Sequence, residues 1–144
     1  MIDTTNAPRY DDIDVGLELP SLTISIDRLN LVTYAGASGD FNPIHWNENA
    51  AREAGLDNVI AHGMLTMGRA LCIVTRWIQN PALIKEYSVR FLNPLIIADG
   101  SSTVVQLTAA VEELLSERMV RLGIQARAGT TDLIGRGYAL VQLR

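Results

Sequence analysis

An aspartate and a histidine stand five residues apart in the stretch YAGASGDFNPIHWNENAAREAG, residues 34–55. Asp and His are the two side chains most used for proton transfer near neutral pH. Between Asp40 and His45 lie Phe41, Asn42, Pro43 and Ile44. Pro43 has no N–H and breaks a helix, so residues 40–45 should form a fixed, non-helical arch. Gly39 permits backbone angles that other residues resist. Such an arch can turn a carboxylate and an imidazole onto one small volume and hold a water between them. The same residues also favour an Asx-type turn for local reasons, and composition taken alone favours the turn.

A second piece of chemistry stands at His62-Gly63, just before a long apolar segment. The first N–H groups of a helix have no internal acceptor and sit at its positive end. Gly63 would let a ligand approach such an N–H closely, making an oxyanion hole. Close helix packing explains a glycine there equally well. For His62 a capping or structural role is favoured over a catalytic one.

The elements that must position these groups follow from periodicity. Residues 15–26 carry β-branched residues and an edge-compatible Pro20, and predict a strand. Asp27 suits an N-cap, and Leu29, Val32 and Ala35 recur at helical spacing over residues 28–37. Asn47 suits a second cap and Gly55 a left-handed stop, with a short helix between them. Residues 63–78 are apolar on nearly every side, which predicts a buried helix that Pro81 ends. Alternating segments at 86–92, 103–113, 118–128 and 133–143, separated by short turns, predict strands in an antiparallel meander. One buried helix wrapped by a curved antiparallel sheet is an α+β, hot-dog arrangement. A single such sheet exposes an edge strand, so an edge-paired dimer is expected.

The bulk properties narrow the partners. The 144 residues carry a net charge of −4 and are 48% hydrophobic, enough for one domain burying roughly 70% of its unfolded surface. The acidic balance argues against a nucleic-acid face and against a polybasic membrane anchor. One cysteine allows neither an internal disulfide nor a cysteine zinc cluster. No stretch reaches the length of a membrane span, and residues 1–10 read as a polar tail without a secretory core. A soluble cytoplasmic protein, with residues 11–144 as its domain, is the expectation.

Three segments resemble a known family. Tyr34, Ser38-Gly39-Asp40, Asn42-Pro43-Ile44-His45 and Ala51 match the signature of the MaoC-like (R)-specific hydratases and dehydratases. IAHGMLTMG, residues 60–68, resembles the start of that family's central helix, and EYSVRFLNPL, residues 86–95, its following strand. The likeness is nearest to the HadB-type catalytic subunit of the actinobacterial (3R)-hydroxyacyl-ACP dehydratase. Ala37 departs from the usual larger aliphatic or Gly. The resemblance implies that Asp40 and His45 are a catalytic dyad, that the Gly63 N–H holds a thioester oxygen, and that Ser38 and Asn42 support the arch.

The implied reaction is reversible dehydration of a (3R)-hydroxyacyl thioester carried on the phosphopantetheine of ACP or CoA, with no metal and no other cofactor. His45 would move the α proton and Asp40 would orient the 3-hydroxyl or the water. The acyl tail would run along Phe41, Trp46, Met64, Met67 and Leu71, although for any one of them taken alone core packing is the favoured reading. Acyl-ACP in chain elongation is the leading carrier. An enoyl-CoA hydratase of fatty-acid breakdown or polyester precursor supply is the alternative. A thioesterase of the same fold is a rival, although Asp-x-Asn-Pro-x-His is not usual there. A non-catalytic acyl-binding or stabilising subunit is another, and an intact Asp40 and His45 argue against it. Partners implied are a second copy or a second hot-dog subunit.

Overall fold

Asp27 is where the chain turns from strand to helix. In a computed structural model that describes residues 7–144, it ends strand β1 (Leu22–Asp27) and caps helix α1 (Arg28–Ser38). Its carboxylate accepts from the Asn30 N–H at 2.9 Å, and the Asn30 side chain accepts from the Asp27 N–H at 3.0 Å. This reciprocal box satisfies two donors that a helix start leaves over. Gly39 closes α1 in the left-handed region, at φ 75°, so the chain leaves the helix directly into the arch.

Helix α2 (Glu48–Glu53) is capped by Asn47, and Gly55 follows it at φ 80°. Helix α3 (Gly63–Ile78) runs over the predicted residues and stops at Gln79 in the left-handed region, at φ 58°. Strands β2 (Ile84–Ser88), β3 (Ser102–Leu114), β4 (Met119–Ala128) and β5 (Thr131–Gln142) complete one sheet, in the order β1-β3-β4-β5-β2 with every pairing antiparallel. The period-2 alternation points Val105, Leu107, Ala109 and Val111 of β3 and Val120, Leu122, Ile124 and Ala126 of β4 inward. They join Ile73, Val74 and Ile78 of α3 in one core cluster. This is the hot-dog architecture.

Five details differ from the periodicity reading. The meander holds for β3-β4-β5, but β2 pairs with the far side of β5 and forms an edge. The chain between β2 and β3 must therefore pass over β5 and β4. The β2 segment is also earlier than predicted, and beyond it Phe91 makes an isolated bridge to Ile134 while Arg90 and Leu92 hydrogen-bond to β5. The first strand starts at Leu22, after Pro20; upstream, Glu18 makes a single bridge to Ala110. On α1, Leu31 and Ala35 are buried, whereas Leu29 and Val32 face out. Helix α3 buries the face made by Thr66, Ala70, Ile73, Val74 and Ile78. One open sheet covers one side of a helix, so Met67, Leu71 and Trp77 stay half-buried and Met64 exposed.

Residues 1–6 of the expected tail lie outside the described residues. Tyr10 is held at both ends: its N–H donates to the Arg144 carbonyl and its hydroxyl to that of Leu115, each at 2.9 Å. Among the described residues no helix is long and apolar enough to cross a membrane. Tyr87 donates its hydroxyl to the Met67 carbonyl at 2.8 Å and ties β2 to α3. Burial, more than the nearby Cys72, pushes that hydroxyl's pKa upward and keeps it a donor.

The cap at Asp27 can be weighed directly. Asp27→Ala removes one side of the box and should cost about 1 kcal/mol. A drop in melting temperature of about 3 °C is the corresponding shift for a chain of this size. An unchanged melt would show that the box contributes nothing to stability.

Candidate active site

The arch is built from short side-chain bonds along the chain. The Ser38 hydroxyl donates to the Tyr34 carbonyl at 2.8 Å and accepts the Asp40 N–H at 3.2 Å. Asp40 Oδ1 accepts the Asn42 N–H at 3.2 Å, and Asn42 Oδ1 accepts the Ile44 N–H at 3.3 Å. Pro43 opens a single 3-10 turn, Pro43–His45, that ends on the histidine. The turn-forming chemistry and the clustering of Asp40 with His45 are thus one construction. Ser38 and Asn42 hold the arch from behind, and Asp40 Oδ2 remains for other work.

His45 is anchored from the opposite side. Its Nδ1 lies 2.7 Å from the Ile60 carbonyl oxygen. A carbonyl only accepts, so Nδ1 carries the hydrogen and Nε2 presents its lone pair. Nε2 faces Asp40 Oδ2 at 3.9 Å. The imidazole is almost enclosed, at 9% side-chain exposure, while the carboxylate is 51% exposed. Both facing atoms are acceptors, so together they can hold one water or hydroxyl between them. One end of that donor would meet the solvent-facing carboxylate and the other the sheltered base.

Two residues join them that the spacing did not assign to the site. His62 is buried and makes no side-chain cap for α3. Its Nε2 lies 3.1 Å from the Asp40 carbonyl oxygen, and its ring stacks on His45 at 3.8 Å between centroids, 24° from parallel. Phe91 covers Gly63: a Cβ added there would meet its ring at 3.3 Å. The signal for His62 was in the sequence, since the chain has two histidines and one of them precedes the glycine. Nothing local pointed to Phe91, which arrives from beyond β2.

Gly63 is the first residue of α3 and is exposed, so its N–H has no intrahelical acceptor. Asp40, His45 and His62 each offer a ligand atom within 4.8 Å of the others. A zinc ion would need lone pairs converging on one point at about 2.0–2.1 Å. The two stacked imidazoles keep theirs in near-parallel planes, and His62 Nε2 is spent on the Asp40 carbonyl. The arrangement suits proton transfer.

The tail-lining expectations separate into two groups. Phe41, Trp46 and Met64 are exposed near the arch, with Trp46 Nε1 donating to the Phe41 carbonyl at 3.1 Å. Met67 and Leu71 lie half-buried along α3. A groove of about 630 Å³ on the outer face of the sheet, lined among others by Glu112, Arg121, Gly123 and Tyr138, shares no residue with the arch.

Comparison with known proteins adds to this geometry. Residues 15–127 match the MaoC like domain. The chain is 32% identical over 105 residues to an (R)-specific enoyl-CoA hydratase of Rhodospirillum rubrum, covering 72% of each chain. It is 30% identical over 136 residues to a 3-hydroxybutyryl-CoA dehydratase of Methylorubrum extorquens, covering 93% of this chain and 83% of that one. A solved MaoC-like dehydratase superposes with a TM-score of 0.93 at 35% identity over 96% of this chain, which spans 43% of that longer protein.

Proposed function

The chain belongs to the MaoC-like domain family, and from that premise we propose that it is a hydro-lyase adding water to, or removing it from, an acyl thioester with (3R) stereochemistry. The observation that carries the reading is the facing pair of acceptors, Asp40 Oδ2 and His45 Nε2, 3.9 Å apart. In hydration they hold a water. As its oxygen bonds to the β carbon, His45 Nε2 takes one proton and returns it to the α carbon. Asp40 stays ionised and accepts the remaining O–H, which becomes the 3-hydroxyl. Dehydration runs the same steps backwards. The Gly63 N–H holds the thioester oxygen while the α carbon is enolate-like. Water is added without net oxidation or reduction, so the reaction calls for no redox cofactor.

The two relatives are named for CoA thioesters, whereas the motif resemblance pointed to an ACP-linked dehydratase. The phosphopantetheine arm is common to both carriers, and acyl-ACP remains the leading carrier of this reading. A substrate on that arm would lay its tail across α3, where Met67 and Leu71 lie four residues apart and share a face.

The assembly follows from what the single sheet leaves uncovered. Among the described residues, edge strand β2 has no partner on its outer side. Leu29 and Val32 of α1, Phe41 of the arch, Met64, and Phe91 and Leu92 are all exposed. That apolar surface beside the site supports pairing with a second hot-dog module, either another copy or a related subunit.

The dyad is tested on purified protein with enoyl-CoA and enoyl-ACP, following loss of the conjugated enoyl absorbance. Asp40→Asn and His45→Ala should each lower the rate by about 10²–10⁴-fold. The double variant should be little worse than either, since both act on one water. Release of free thiol in place of hydration would mean a thioesterase. A well-folded single variant within a few-fold of wild type would sink the mechanism.

Tail length is tested with Met67→Phe and Leu71→Phe over a series of acyl chains. At least one should depress kcat/KM for long chains more than for short ones. Equal losses at all lengths, with lower melting temperatures in both, would mean overpacked core at a cost of about 1–3 kcal/mol.

For assembly, light scattering should give a dimer or larger, or a poorly soluble chain rescued by a partner subunit. A stable, active monomer would remove the pairing argument.

A further inference from the structure

His62 is 1% exposed, yet one of its two ring nitrogens has no partner. Nε2 sits 3.1 Å from the Asp40 carbonyl oxygen, which can only accept, so Nε2 carries the hydrogen. Nδ1 is then a bare lone pair, and among the described residues no group donates to it. A buried acceptor left unpaired is normally costly, and proteins keep few of them. A side chain needed only for volume would be Phe or Leu at no such cost. The ring is also clamped on both faces. His45 stacks on one side at 3.8 Å, and Tyr34 of α1 lies tilted against it, with centroids 4.9 Å apart. The backbone of His62 begins α3 and is tied in turn by the Thr66 N–H at 3.1 Å. The ring therefore joins three separate elements: α1 through Tyr34, the arch through Asp40 and His45, and the start of α3 beside Gly63.

We propose that His62 is the positioning residue of this site: its Nε2–H holds the Asp40 carbonyl and its stacked face sets the plane of the His45 ring, so that carboxylate and base meet on one water. The role rests on the hydratase reading above. It is distinct from proton transfer, because the Nε2 proton is committed to a backbone carbonyl and Nδ1 carries none. Without the bond the Asp40 end of the arch is held only by its own local turns, because the bonds to Ile60 fix the Ile44–His45 end. An error of about 1 Å in that placement is worth on the order of 10²-fold in rate.

Two variants and one spectrum test it on the full chain. His62→Phe keeps a stacking ring and removes the donor; His62→Gln keeps a donor of similar reach. The Phe variant should lose about 100-fold in kcat with KM within about threefold, and the Gln variant should recover most of the loss. Long-range ¹H–¹⁵N spectra of the wild type are simple, because the chain has two histidines. They should show opposite tautomers: hydrogen on Nδ1 of His45 and on Nε2 of His62. Wild-type kcat in the Phe variant, equal losses in both variants, or a His62 hydrogen on Nδ1 would each overturn the proposal. If melts show that the Phe variant does not fold, the Gln variant's kcat and KM and the wild-type tautomers decide. If the wild type hydrates neither thioester, the functional reading falls instead, and the tautomers alone judge the positioning.

Discussion

The hydrogen bond from His45 Nδ1 to the Ile60 carbonyl, at 2.7 Å, is the constraint on which the site depends. It selects which imidazole nitrogen is a base and where that base points. The carbonyl can serve because its own segment cannot move. The Ile60 N–H donates to Ile44, the Ala61 N–H to Leu95, and the Ile97 N–H to Val59. Residues 59–61 are therefore pinned between the arch and the chain that crosses from β2 to β3. Arg28 reinforces the same corner, donating to the Ile97 carbonyl at 2.8 Å and to Asn58 Oδ1 at 2.7 Å. Local turns shape the arch, but these non-local bonds set its distance from the helix that carries Gly63.

The fold divides its labour accordingly. One face of α3 packs against the sheet and supplies stability through Ile73, Val74 and Ile78. The start of the same helix contributes His62 and Gly63 to the site. The carboxylate of Asp40 is open and the imidazole of His45 is closed, so the same pair spans the boundary between solvent and interior. This asymmetry suits a reaction in which water enters from one side and an acyl chain lies along the other. The cost is an apolar surface beside the site that a single copy of the fold does not cover. A larger patch of that kind marks an interaction surface in most proteins.

Much was legible from the residues. Asp27 announced the start of α1, and Asn47 and Gly55 the two ends of α2, through chemistry that acts within a few residues; Gly39 was legible as a permissive backbone position, and the structure makes it the end of α1. Gly63 and the run after it marked α3, and alternation marked the long strands, because these signals are local and repeated. Asp40-x-Asn-Pro-x-His was visible as both a turn and a pair of proton-handling groups, and the structure makes the two readings one. The outward turn of Leu29 and Val32 was not legible, since a helix with apolar residues on two faces does not say which face meets the sheet. The edge position of β2 was not legible either, because order in a sheet is set by which strand pairs best across the chain's whole length.

Sequence by itself determined the elements, their caps and the presence of an aspartate and a histidine on one short arch, for these depend on neighbours a few bonds away. Tertiary structure alone decided the tautomer of His45, the stacking of His62 on it, the cover of Phe91 over Gly63, and the 3.9 Å gap between Asp40 and His45. Each of these is a meeting of segments 15 or more residues apart, or depends on such a meeting, as the Ile60 carbonyl does for His45. Hydrogen-bond direction and ring contact act over about 3–4 Å. Only a packed chain brings groups so distant in sequence within that range.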